Sequence, residues 1–265
     1  MKSMKVAFIT RIKTEDDLVK DGLTSIVSEA DKSGIKDKYI LLKTKNSVNV
    51  KHKINGIDVC LIHDDNPTAP TSINTALLEI RKKEFDAFLV ASKEVVLKKE
   101  NIERLIKGLQ PSKMLVIGYK FTHKDAGLNN ELSSYYCNEK LVAYRVPWNT
   151  CAIWRYKNFI TYVKKFDEIT SRNSFDEIGV TLDGYGYNTS HKGMEDGLAI
   201  AKARSKNNKL DYLLIDKKLE WAVNNKLDHR KKLARKDVVM RNFMALRNYS
   251  VKDLRSAEQP ATETK

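Results

Sequence analysis

Five short, predominantly apolar runs in the first 120 residues constrain the fold more than any other feature of the chain. They are Val6-Ala7-Phe8-Ile9, Tyr39-Ile40-Leu41-Leu42, residues 57–62, residues 85–90 and Met114-Leu115-Val116-Ile117-Gly118. Runs of this kind without alternation, interrupted only by Asp58 and Asp86 near the starts of the third and fourth, suit strands covered on both faces. Between them lie segments of helical period. After Thr14, a plausible N-cap, Val19, Leu23, Ile26, Val27 and Ala30 recur on one helical face, and Gly34 closes the helix. Residues 71–83 and 98–109 read as two further helices. Strands alternating with helices build right-handed βαβ units and a mostly parallel sheet flanked by helices. The expectation is therefore one α/β, Rossmann-like domain. In such sheets ligands bind beyond the carboxyl ends of the strands. Those ends carry Thr10-Arg11, Lys43-Thr44, His63-Asp64-Asp65-Asn66, Ala91-Ser92-Lys93-Glu94 and Tyr119-Lys120, a polar and partly basic set that suits a phosphorylated small ligand.

The second half is looser. Residues 119–140 are polar and turn-rich, one or two strands are expected within 141–154, and a short helix within 156–165. Residues 170–193 form a polar, glycine-rich stretch of the kind that serves as a functional loop or lid, with Tyr185 and Tyr187 in it. A helix over 198–205, strands over 210–215 and 219–223, and a long basic helix over 227–248 follow.

The chain of 265 residues carries 48 Lys and Arg against 34 Asp and Glu, a formal charge of +14. Residues 226–255 hold ten Lys or Arg against three Asp, half of that excess. Such a segment fits an anionic membrane surface, nucleic acid, or packing by Leu233, Met240, Phe243 and Met244 with the rest solvated. Nucleic acid is disfavoured, because no recognition-helix motif or aromatic RNA-binding signature is present. No apolar run approaches the 18 or so residues that span a bilayer. Three cysteines at unrelated spacings (Cys60, Cys137, Cys151) make no disulfide framework or zinc knuckle, and a reducing cytoplasm is the expected setting. Neither a Gly-x-Gly-x-x-Gly turn nor a phosphate-binding lysine loop is present, which argues against dinucleotide and P-loop chemistry. A nucleotidyltransferase is disfavoured as well, since Thr10-Arg11-Ile12-Lys13 after the first strand is not a glycine-rich loop.

The stretch Gly193-Met194-Glu195-Asp196-Gly197 places two carboxylates between glycines at the head of a helix, with Trp148-Asn149-Thr150 upstream. An acidic pair in a first helical turn serves the helix dipole as readily as it serves catalysis. The order of segments, however, resembles the nucleotide-diphospho-sugar glycosyltransferases of the GT-A fold, nearest to family 2, over roughly residues 4–223. Three places carry the likeness. Residues 66–74 (Asn-Pro-Thr-Ala-Pro-Thr-Ser-Ile-Asn) have the length and both end asparagines of that family's Asn-x-Gly-x-x-x-Ala-Arg-Asn segment. Residues 85–93 stand where a strand runs into the Asp-x-Asp signature, and Gly193-Met194-Glu195-Asp196 matches the Glu-Asp motif.

The resemblance implies transfer of a sugar, with inversion, from a nucleotide-diphospho-sugar to an acceptor hydroxyl, with Asp196 as general base and Glu195 beside it. It implies a donor site from Thr10, Arg11, Asp65, Asn66, Asn74, Ser92 and Lys93, and acceptor contacts from Trp148 and Asn149. The acceptor would be a glycan or a lipid-linked sugar, met in the cytoplasm or at the inner face of the membrane. The halves would be residues 1–120 for the donor and 121–225 for the acceptor, followed by a basic helical extension over 226–256 and a disordered tail over 257–265. Family members hold Mn²⁺ or Mg²⁺ on the Asp-x-Asp acids, which here read Ala91-Ser92-Lys93. Three readings follow. Lys93 neutralises the diphosphate without metal; a displaced ligand comes from Glu94, Asp64-Asp65 or His229; or the domain binds and no longer catalyses, acting as a nucleotide-, glycan- or nucleic-acid-binding protein. Leaving-group help would fall to Lys93, Arg11 and His191 or Lys192. Trp154 is expected in the core rather than on the acceptor side.

Overall fold

The computed structural model describes residues 4–44, 49–67, 69–119, 146–167 and 195–215, with Leu219 and a few positions between 244 and 254. Eight strands form one mixed sheet: β1 (Val6–Arg11), β2 (Asp37–Leu42), β3 (Val50–Ile54), β4 (Ile57–His63), β5 (Ala87–Ala91), β6 (Met114–Tyr119), β7 (Cys151–Arg155) and β8 (Asp211–Ile215). Their order across the sheet is β3-β4-β2-β1-β5-β7-β6-β8. The pairs β1–β2, β1–β5, β2–β4 and β6–β8 run parallel. The four principal helices are α1 (Asp21–Lys32), α2 (Ile73–Ile80), α3 (Lys99–Gly108) and α4 (Glu195–Lys206).

Four of the apolar runs become strands covered on both faces, while the third becomes β4, second from the sheet edge and only partly buried. Every residue of β5 and of β6 is buried, as are the first five of β1. The helices bury the stripe that their spacing predicts: Leu23, Ile26, Val27 and Ala30 on α1, and Ile73, Ala76, Leu77 and Ile80 on α2. The first helix begins later than its apolar spacing suggests. Residues Glu15–Val19 form a 3₁₀ turn, α1 proper starts at Asp21, and Thr14 makes no side-chain cap bond. Val19, expected on the buried stripe, is 82% exposed, because the extended residue Lys20 separates its 3₁₀ turn from α1 and breaks the register.

Strand β3 is an addition to the expected set. It pairs antiparallel with β4 through the two-residue turn Asn55-Gly56, whose φ values of 48° and 80° are those of a type I′ hairpin. Gly56 takes that conformation at no steric cost. The strand escapes the periodicity argument because it reads Val-Lys-His-Lys-Ile and all but Ile54 is exposed at the sheet edge.

Strand β7 decides where the site lies. It inserts antiparallel between β5 and β6, and Ala91 at the end of β5 pairs with Cys151 at the start of β7. The turn that leads into β7, residues 148–150, is thereby delivered to the carboxyl-end edge of the parallel strands. The chain after β7 is helical, but as a short α-segment (Tyr156–Asn158) continuing into a π-helical turn (Phe159–Val163). Trp154, Phe88, Phe159 and Phe166 pack together there, with Trp154 stacked 6.3 Å from Phe88 and edge-on to the other two at 5.5 and 5.3 Å. Trp154 is fully buried, as expected.

Helix α4 starts at Glu195, three residues before the expected start, so both acids belong to its first turn. Apart from buried Leu219, the expected strand over 219–223 lies outside the described residues, as does most of the basic segment 226–256. Where that segment is described, Met244 and Leu254 are buried in the core, and the Tyr212 hydroxyl donates to the Leu254 carbonyl. No helix among the described residues is long and apolar enough to cross a membrane.

Candidate active site

Glu195 and Asp196 are buried, at 6% and 4% exposure. Burying two carboxylates is costly unless each is met by donors, and the turn before β7 supplies them. The Asn149 main-chain N–H donates to Asp196 Oδ2 at 2.9 Å, and the Asn149 side-chain amide donates to Glu195 Oε1 at 3.2 Å. The Gly197 N–H donates to Asp196 Oδ1 at 2.8 Å. Asn149 is itself fixed from the far side, where the Trp154 indole N–H donates to its Oδ1 at 2.9 Å. A chain of contacts thus runs from the aromatic cluster through Asn149 to the acidic pair. The turn closes on itself by a Cys151 N–H bond to the Trp148 carbonyl at 3.0 Å. Trp148 is 6% and Asn149 3% exposed, so the two expected acceptor residues are packed in the wall of the site.

The same turn touches the end of β5. The Ser92 N–H donates to the Thr150 carbonyl at 2.9 Å. The acidic pair and Lys93 are therefore two hydrogen-bonded steps apart along one edge of the sheet. Lys93 Nζ lies 2.8 Å from Asp17 Oδ1, an oxygen that also takes Lys20 Nζ at 2.5 Å. Asp17 Oδ2 accepts the Lys13 N–H at 3.0 Å. Burial works against the charge on Asp17, but the hydrogen bonds from Lys20, Lys93 and the Lys13 main chain outweigh it and hold its carboxyl well below the usual carboxylate range. Asp17 was not among the expected site residues. Three acids in a row, Glu15-Asp16-Asp17, look like any acidic first turn, and only the approach of β5 singles out the third.

A carboxylate whose folded pKa lies below its ordinary value of 3.8 stabilises the fold at neutral pH. That contribution disappears as pH falls through the folded value. Asp17→Asn is expected to cost about 2 kcal/mol at pH 7. Its deficit relative to the wild type should shrink as pH is lowered below about 4. Urea unfolding of both proteins at pH 7, 4 and 3 measures this, and a deficit that stays constant with pH would contradict it.

The other expected donor residues are scattered along the same edge, in different states. Thr10 is fully buried in β1, and its hydroxyl has no hydrogen-bond partner among the described residues. Arg11 donates to the Ala69 carbonyl at 2.9 Å. Asp65 is exposed beside His63, 3.2 Å from its Nε2. The Asn66 N–H donates to Asp64 Oδ1, and the other oxygen of Asp64 accepts from the Thr75 hydroxyl. The Asn74 amide is committed to the main chain of Phe166, donating to its carbonyl at 2.8 Å and accepting its N–H at 2.9 Å. It ties α2 to the aromatic cluster. The Ser92 hydroxyl bonds Glu94. His191, Lys192 and His229 lie outside the described residues, as do Tyr185 and Tyr187.

A divalent cation asks for several hard oxygen ligands. The end of β5 offers an ammonium, a hydroxyl and the Glu94 carboxylate, while both oxygens of Asp17 and of Asp64 are already engaged. Among the described residues no three His, Cys, Asp or Glu side chains converge on one point. This donor set does not fit a metal held by side chains at that strand end.

Comparison with solved structures places the fold. The chain is similar to a mannosyltransferase from Pyrobaculum calidifontis in complex with GDP-Man and Mn²⁺, at 11% identity and a TM-score of 0.57, covering 93% of this chain and 65% of that one. It is similar to glucosyl-3-phosphoglycerate synthase from Mycobacterium tuberculosis with phosphoglyceric acid, at 6% identity and a TM-score of 0.52, covering 94% and 81% of the two chains. The same synthase with Mn²⁺, UDP-Glc and phosphoglyceric acid aligns at 8% identity, a TM-score of 0.53 and the same coverage. The chain thus spans just under two thirds of the mannosyltransferase and about four fifths of the synthase. No family model and no curated protein sequence matches. The fold is that of the GT-A nucleotide-sugar transferases.

Proposed function

We propose that the protein is a glycosyltransferase that moves a sugar from a nucleotide-diphospho-sugar to an acceptor hydroxyl with inversion. The observation that carries this reading is the acidic pair at the head of α4, buried against the Asn149 turn on the edge where β1 and β5 end. In the proposed reaction Asp196 takes the proton of the acceptor hydroxyl. The freed oxygen attacks the anomeric carbon. The bond from that carbon to the diphosphate oxygen breaks, and the nucleoside diphosphate leaves with the electron pair. Glu195, held by the Asn149 amide, orients the acceptor. Arg11, Ser92 and Lys93 lie on the donor side, with Asp65 and Asn66 at the neighbouring strand end. The similar proteins were solved with GDP-Man, UDP-Glc and a phosphorylated acceptor, and this chain is read as using a donor of that chemistry.

In this reading residues 1–120 form the donor half and 121–225 the acceptor half. The basic segment 226–256 packs through apolar residues, with Met244 and Leu254 in the core, and its charged remainder is read as a peripheral contact for an anionic membrane on the cytoplasmic side, where a glycan or lipid-linked acceptor is met.

The test is a panel of nucleotide sugars, scored for thermal stabilisation and for release of nucleoside diphosphate in the presence of mixed glycan and lipid-linked acceptors. A ligand at about 100 times its Kd adds roughly 2.7 kcal/mol of stability. One donor should both stabilise the protein and be turned over. Stabilisation without turnover under any acceptor condition would replace the transferase by a nucleotide-sugar-binding domain. No stabilisation by any donor would end the reading.

A further inference from the structure

The donor reading leaves open which cation meets the diphosphate, and the residues at the end of β5 answer it. We infer that the ammonium of Lys93, held by Asp17, is the cation that receives the donor diphosphate, so that donor binding needs no divalent metal. The inference rests on the reading of the protein as a nucleotide-sugar transferase.

Three observations carry it. The first is the position of Lys93, directly after the central strand β5 on the carboxyl-end edge of the sheet, beside the turn that holds the acidic pair. The second is the rigidity of that position. Gly22 in the first turn of α1 lies so close that a Cβ there would come within 2.5 Å of the Lys93 carbonyl oxygen. The main chain at Lys93 is thus clamped between α1 and the Ser92–Thr150 hydrogen bond. The third is charge. One carboxylate oxygen of Asp17 takes two ammonium groups, and the second oxygen takes a main-chain N–H. Asp17, Lys20 and Lys93 together carry two positive charges against one negative, with the Glu94 carboxylate beside them on the Ser92 hydroxyl.

The side chains divide the work by depth. That of Asp17 is only 5% exposed, whereas that of Lys93 is 22% exposed and is the more open of the two. An ammonium has three donors. One is used on Asp17, which leaves others for phosphate oxygens. Asp17 fixes a long side chain that would otherwise lose rotamer entropy on binding. At this strand end Asp17 is engaged through both oxygens and Glu94 bonds the Ser92 hydroxyl, and no three acidic, His or Cys side chains converge among the described residues. Lys93 has the charge, the position and the support to take that part.

The experiment is calorimetric titration of uridine, guanosine, adenosine and thymidine diphosphates into the full chain, once with EDTA and once with Mn²⁺, for wild type, Lys93→Met, Lys93→Arg and Lys20→Met. For the nucleotide that binds, the expected Kd in EDTA is within about twofold of that in Mn²⁺. Lys93→Met is expected to weaken binding in EDTA by at least about tenfold, from loss of a charge-assisted contact. Lys93→Arg should recover part of the loss. Lys20→Met, which removes the other cation from the same carboxylate, should weaken binding less than about threefold. Circular-dichroism melts of each variant verify that the titrated protein is folded. Binding that requires Mn²⁺ overturns the inference and leaves the transferase reading intact. Wild-type affinity in folded Lys93→Met, or an equal loss in Lys20→Met, also overturns it. Failure of all four nucleotides in both buffers removes the donor reading and this inference with it.

Discussion

Asp196→Asn is expected to lower glycosyl transfer by about 10²–10⁴-fold, the range that a general base contributes, with donor affinity unchanged. The substitution keeps the size of the side chain and removes its basicity. It also turns one of two acceptor oxygens into an NH₂ group. Both carboxylate oxygens of Asp196 accept main-chain N–H bonds, from Asn149 and Gly197, so the amide must leave one of these donors facing another donor. A stability loss of about 1–3 kcal/mol is expected alongside the catalytic loss. The two effects separate by measurement. Melting curves report the first, and initial rates well below the melting temperature report the second. Asp196 would then act in two capacities, as the base and as the acid that draws the head of α4 onto the β7 turn. A variant that is destabilised yet transfers sugar at the wild-type rate would reduce Asp196 to the second capacity. Glu195→Gln provides the comparison: its Oε1 accepts only the Asn149 side-chain amide among the contacts described, and a glutamine oxygen can keep that bond.

Trp154→Ala is expected to cost about 3–5 kcal/mol, the range for truncating a buried aromatic residue. The indole is fully buried and touches Phe88, Phe159 and Phe166. At about 2–4 °C per kcal/mol for chains of this size, the melting temperature should fall by roughly 10 °C. Trp154→Phe isolates the polar part of the role. Phenylalanine keeps an aromatic ring in the cluster but leaves Asn149 Oδ1 without the indole N–H. An unmet buried acceptor costs about 1–3 kcal/mol. The amide that meets Glu195 is also freed to rotate. Transfer by Trp154→Phe should therefore fall more than its stability predicts, with the loss in kcat rather than in donor affinity. Equal kcat in folded Trp154→Phe would show that the aromatic cluster supports the fold alone.

Much of the molecule was legible in the chain. Central strands and principal helices follow from apolar runs and helical spacing, because burial on two faces or on one stripe leaves a direct trace in residue type. The order of segments pointed to the GT-A fold, which the solved structures bear out. Two local features lie outside the apolar pattern. Asn55-Gly56 marks a hairpin, but β3 beside it is almost wholly exposed and lysine-rich, so it shows no apolar pattern. The 3₁₀ turn at Glu15–Val19 shifts the helical register, and Val19 left the buried stripe with it.

The candidate site divides in the same way. That Glu195 and Asp196 open a helix, and that a lysine stands after the fourth apolar run, is written in the residue order. That Asn149 spans the gap between the acidic pair and Trp154 is not, because the partners lie 46 and five residues away and meet only when β7 inserts between β5 and β6. The commitment of Asn74 to Phe166, 92 residues on, is of the same kind. So is the pairing of Lys93 with Asp17, which needs β1 and β5 side by side and α1 pressed against the chain after β5. Short-range physics, meaning strand burial, helix period and turn chemistry, acts between neighbours in sequence and so determined the α/β class, the buried strands and the principal helices from the sequence alone. Charge pairing and the burial of polar groups act through space, and the tertiary structure alone decided which acid meets which donor.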